Sequence, residues 1–158
     1  MKPVLTTVNL LSNPLSVIKD QLTFSYLQGK SGVSGCRFVF AKSETALANK
    51  EYLFDSGVMN TTETTGIVVE GLGDALPCDA MVVAAVQTVD EEGKASGFSK
   101  PFTFFTAKED WNPKGVWVAD QKGENPDFCL LRKEFSLEKV PYKALLQLTA
   151  RSPEKARQ

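Results

Sequence analysis

Apolar and polar positions alternate in short runs along most of this chain. Residues 4–11 form the first apolar-rich run. Asn13-Pro14 stops it, because the residue before a proline avoids the helical region. Leu22-Thr23-Phe24-Ser25-Tyr26 alternates with a period of two, which predicts a half-buried strand. Residues 28–35 hold three glycines and two serines and read as a loop. Phe38 and Phe40, alternating with Arg37, Val39 and Ala41, predict the next strand. Residues 43–50 could close one helical turn with Ser43 as its N-cap, but read rather as an excursion between strands. Tyr52-Leu53-Phe54 is apolar, and Asp55-Ser56-Gly57 ends it with turn chemistry. Residues 61–65 read as a loop or weak edge strand and residues 66–70 as a short strand. Gly71-Leu72-Gly73-Asp74 breaks that strand.

Residues 80–89 carry the strongest strand signal. Val82, Ala84, Val86 and Thr88 face one way, and Met81, Val83, Ala85 and Val89 the other. A run apolar on both faces predicts a central strand covered on both sides. Asp90-Glu91-Glu92-Gly93 is a tight turn. Residues 98–106 return as its partner, with Phe98, Phe102 and Phe104 at even spacing as core positions. Pro101 within that return marks an edge strand or a bulge. About seven strands with turn signals between them, and no long helical pattern, predict an antiparallel β-sandwich.

The character shifts after Thr106. Residues 1–107 form the predicted sandwich, residues 108–115 a polar linker containing Trp111 and Pro113, and residues 116–158 the incomplete start of a second β-sandwich. The fold class is therefore all-β: an antiparallel fibronectin III/immunoglobulin-like β-sandwich followed by a truncated second β-domain. The second part offers strands at 116–118, 128–135 and 142–150, and three strands cannot cover their own apolar face. They are expected to dock on the first module, to pair between copies as a homodimer, or to continue into further chain.

Chemistry narrows the function. The chain of 158 residues has no histidine and a net charge of -1. Without histidine, Ser-His-Asp and Cys-His catalysis and histidine-based metal sites are excluded. No phosphate-cradling GxxxxGK[ST] is present, and no GxGxxG follows a strand. Two carboxylates suffice for a glycosidase, yet Asp90-Glu91-Glu92 and Glu109-Asp110 fall in predicted turns, where neighbouring acids face water. Cys36, Cys78 and Cys129 lie far apart with no CxxC spacing and read as ordinary thiols. Asp55 reads as a turn cap, since a calcium site would need several more oxygen ligands. No catalytic residue, cofactor or metal ligand is assigned. Interspersed acids and bases point to neither nucleic acid nor an acidic membrane surface. No window approaches a membrane span, and residues 1–17 are not a signal peptide, so a cytoplasmic location is expected. Trp111 and Trp117 are the candidates for stacking on a sugar ring. Their position around the linker favours packing at a domain junction instead.

Several motifs carry a family resemblance. Leu76-Pro77 ahead of the Val82 strand, then Asp90-Glu91-Glu92-Gly93 and Ser96-Gly97-Phe98-Ser99, resemble the last two strands of a fibronectin type III-like domain. Val82 stands where such domains place a tyrosine whose hydroxyl ties strand to loop. Asn13-Pro14-Leu15, Phe54-Asp55-Ser56-Gly57-Val58, Asp90-Glu91-Glu92-Gly93-Lys94-Ala95-Ser96, Asp110-Trp111, Trp117-Val118 and Leu131-Arg132-Lys133-Glu134-Phe135 follow in order. As an ordered set they resemble the N-terminal region of bacterial α-L-rhamnosidases, over essentially the whole chain. The resemblance implies a fibronectin-like module, further β-sandwiches, an (α/α)6 barrel and a small C-terminal β-domain. It also implies inverting hydrolysis of terminal α-L-rhamnose by an acid and a base on the barrel, none of which lies here. The expected role is a non-catalytic structural module whose partners are the remaining domains of the parent enzyme. A carbohydrate-binding module and a protein-interaction sandwich are the two rival readings.

Overall fold

β-Branched and aromatic residues concentrate in the segments that become strands, and turn residues between them set where each strand stops. The computed structural model describes residues 2–110, 132, 134 and 136–140. The chain divides into two units, Met1–Asp110 and Trp111–Gln158. The first contains β1 (Val4–Val8), β2 (Thr23–Leu27), β3 (Val33–Ala41), β4 (Phe54–Asp55), β5 (Ile67–Val68), β6 (Met81–Asp90) and β7 (Phe102–Phe105). They pair as a three-stranded sheet, β1-β2-β5, and a four-stranded sheet, β4-β3-β6-β7. Every strand pairing is antiparallel. The predicted all-β, antiparallel class is the observed one. The tail strands expected within 116–158 lie, apart from single positions, outside the described residues.

Phenylalanines join the two sheets. Phe24 of β2 is fully buried, with ring centroids 5.4 Å from Phe38, 5.3 Å from Phe40 and 6.2 Å from Phe104. Leu5, Val8, Tyr26 and Ile67 complete the layer from the smaller sheet, and Val82, Ala84 and Val86 from the larger. β6 is buried on its other face too, at Val83 and Ala85. A short helix, α1 (Glu44–Ala48), contacts β3 and β6 and buries Ala46. Ser43 caps α1, its Oγ accepting the Ala46 N–H at 3.1 Å.

The sheet edge at β7 is closed by the N-terminal segment. The chain leaves β1 through a two-residue turn, Asn9-Leu10, both with positive φ (50° and 62°). That is the twist a tight hairpin demands. It then crosses to the other sheet, where Phe105 N–H donates to Pro14 C=O at 3.0 Å and Val17 N–H to Phe105 C=O at 2.9 Å. Pro101 sits just ahead of β7, outside the ladder, where its missing N–H leaves no strand hydrogen bond unmade.

Three local expectations change. β3 begins at Val33, inside the stretch read as a loop. Gly35 is accommodated there because a Cβ would stand 2.8 Å from the Met59 carbonyl oxygen. Gly71-Leu72-Gly73-Asp74 breaks the strand as expected, but winds into one helical turn, α2 (Leu72–Ala75), which buries Leu72. Phe98 is not in the core, unlike Phe102 and Phe104. The return from the Asp90 turn is irregular: Ser96 and Ser99 donate their N–H groups to β6, but their hydroxyls stand in for carbonyl acceptors. Ser99 Oγ accepts Val86 N–H at 3.1 Å, and Ser96 Oγ accepts Thr88 N–H at 3.0 Å. That irregularity resets the alternation before Phe102 and turns Phe98 outward. Among the described residues no helix is long and apolar enough to cross a membrane.

Candidate functional site

Trp111 and Trp117, the residues singled out for sugar stacking or a domain junction, lie outside the described residues, as does Cys129. Asp55 is described, and it caps its turn: Oδ1 accepts the Gly57 N–H at 3.0 Å. It does more than the sequence suggested. Arg37 on the neighbouring strand donates through Nε to Asp55 Oδ1 at 2.8 Å and pairs through Nη2 with Oδ2. The guanidinium also lies 5.9 Å from the Phe98 ring centroid. Asp55, Arg37 and Phe98 thus form a cross-strand row on the outer face of the larger sheet. This is where the ring that leaves the core is used. Among the described residues no group of three or more acids, cysteines or histidines is placed to hold a metal ion.

The hydrogen bonds from Arg37 hold the Asp55 carboxyl below its ordinary pKa of 3.8. A carboxylate depressed in the folded state contributes stability that is present above the unfolded pKa. That contribution is lost as pH falls through the folded value. Asp55→Asn is therefore expected to lower stability by about 1 kcal/mol at neutral pH. The gap to wild type should close well below pH 3.8. Urea unfolding at the two pH values checks it, and a gap independent of pH would contradict it.

The thiols divide by environment. Cys36 is buried in the sandwich beside the Tyr26 hydroxyl, and burial pushes both groups above their ordinary values. A thiol kept protonated in this way is a packing group, not a nucleophile. Cys78 is half-buried, with Sγ 3.7 Å from a Glu109 carboxylate oxygen.

Acids of the hairpin build structure. Asp90 Oδ1 accepts the Lys94 N–H at 2.7 Å, and Oδ2 accepts Lys30 Nζ at 2.8 Å. Around this pair lies an open concavity of about 350 Å³, lined by Lys2, Lys30, Lys94, Asp90, Glu92 and residues 95–97. Its lysines come from three distant parts of the chain, so no local pattern could reveal it. A second surface feature runs along the crossing segment. Leu10 is 76% exposed, Ile18 60%, Leu15 58% and Leu11 52%.

Fold and surface together define an antiparallel β-sandwich module. Solved structures that resemble it are α-L-rhamnosidases. The enzyme from Dictyoglumus thermophilum matches with a TM-score of 0.58 and 22% identity, over 68% of this chain and 12% of its own. The enzyme from Streptomyces avermitilis, solved with L-rhamnose, matches with a TM-score of 0.50 and 18% identity, over 66% of this chain and 10% of its own. The likeness is one of fold, and this chain spans only a small part of either enzyme. No protein-family model matches the chain, and no curated protein matches it.

Proposed function

We propose that this chain is a non-catalytic sandwich module of an α-L-rhamnosidase-like glycoside hydrolase, with the chemistry carried elsewhere in the parent. The observation that carries the reading is the convergence of two lines. An ordered set of motifs resembles the N-terminal region of these enzymes, and the fold is that of about a tenth of two α-L-rhamnosidase chains. The sheet order β1-β2-β5 over β4-β3-β6-β7 supports a fibronectin type III-like subclass for the module. In this reading the sandwich spaces and supports the catalytic barrel.

The chain alone is expected to release no product from an aryl α-L-rhamnoside. The longer reading frame that includes the barrel should hydrolyse it with inversion. Turnover by the chain alone, abolished in a matched inactive control, would overturn the reading. One observation favours a docking role within it: four exposed aliphatic residues lie along one uncharged segment, residues 10–18.

A further inference from the structure

The concavity at the Asp90 hairpin is built from three segments held in fixed relation. Ser34, beyond Lys30 in the β2–β3 connection, donates its hydroxyl to the Asp90 carbonyl at 2.8 Å. The Asp90 carboxylate holds Lys30 with one oxygen and closes the hairpin with the other. Lys2, just before β1, lays its aliphatic stem over Gly97, where a Cβ would come within 2.8 Å of the Lys2 Cε. Three lysines from three segments therefore line one hollow. Loops gathered at one end of a rigid sandwich are where such folds carry recognition.

The charge count selects a ligand. The lining holds Lys2, Lys30 and Lys94 against Asp90 and Glu92, which leaves one positive charge in excess. Asp90 is already occupied by Lys30 and the hairpin amide, so among the lining residues Glu92 is the acid left to balance Lys2 and Lys94. An ammonium with spare donors recognises an oxyanion. Glu92 adds an acceptor for hydroxyl groups. A volume of about 350 Å³ suits a small molecule. We propose that this concavity is a binding site for a small polar molecule bearing an oxyanion, either a sugar carboxylate or a phosphate. The proposal goes beyond the module reading and stands or falls separately from it.

The test is an NMR titration of the whole chain at constant ionic strength, with D-glucuronate and, separately, with inorganic phosphate. D-Glucose is the uncharged control. Saturable shifts are expected at the amides of Lys30, Lys94, Ser96 and Gly97. Lys2→Ala and Lys94→Ala should each weaken binding by about tenfold. A spectrum otherwise unchanged shows that each variant is folded. Saturation by glucuronate alone assigns the sugar carboxylate, and saturation by phosphate alone assigns the phosphate. Either sustains the oxyanion site. Absence of saturation with both, equal shifts from glucose, or undiminished binding in both lysine variants would overturn it.

Discussion

Phe24→Ala is expected to lower the unfolding free energy by about 3–5 kcal/mol, the range for deleting a fully buried aromatic side chain. The reason lies in where the ring sits. Phe24 is fully buried on β2, and its ring meets Phe38, Phe40 and Phe104 from the opposite sheet. Removing it opens a cavity between two sheets that are each tied by their own hydrogen bonds, so neither can collapse easily into the gap. A domain of this size has about 5–15 kcal/mol of stability in total, so the variant should be close to unfolded at moderate temperature. Phe24→Leu keeps most of the volume and should lose only about 1 kcal/mol. Phe98→Ala provides the sharper contrast, because alternation alone ranks Phe98 with Phe102 and Phe104. Its ring is partly exposed beneath Arg37, so its loss should cost about 1 kcal/mol. Denaturant unfolding followed by circular dichroism orders the three. Equal losses for Phe24→Ala and Phe98→Ala would place the two rings in equivalent environments and contradict the packing described here.

The contrast between Phe24 and Phe98 also shows what the sequence makes legible. Apolar or alternating runs bounded by turn residues pointed to about seven strands, and β6 was recognisable as central because both its faces are apolar. Alternation fails where the backbone leaves its ladder. Between Thr88 and Ala84 the return strand presents serine hydroxyls to β6 in place of carbonyls, and this shifts the phase seen by Phe98. Leu72 was lost in a run of glycines and an acid that reads as pure turn, yet the turn is a helical one that drives Leu72 into the core. Local chemistry near a single residue was readable: the Ser43 cap and the Asp55 turn appear where their side chains predict them. Chemistry assembled from distant segments was not. Arg37–Asp55 needs the β3–β4 register, and the three lysines of the concavity need the whole topology. Trp111 and Trp117 lie outside the described residues.

Thr106→Val tests how this sandwich fastens β7 to the loop that leads into β6. Val82, near the start of β6, is fully buried and has no hydroxyl to offer. The fastening comes from the opposite side of the pair. Thr106, also fully buried, accepts the Ala80 N–H at 3.0 Å through Oγ1 and donates to the Pro77 carbonyl at 2.8 Å. Its own N–H donates to Ala80 C=O at 2.9 Å. One hydroxyl thus holds the loop that leads into β6 against the residue that follows β7. Valine preserves the shape but leaves a backbone N–H and a carbonyl without that partner, at an expected cost of about 2 kcal/mol. Thr106→Ser keeps the hydroxyl and gives up one methyl group, and should cost about 1 kcal/mol. The two substitutions separate hydrogen bonding from packing. Hydrogen exchange adds a local readout, because the Ala80 amide should lose protection in the valine variant and keep it in the serine variant. A valine variant as stable as wild type, with the Ala80 amide still protected, would mean that the loop is held by packing alone.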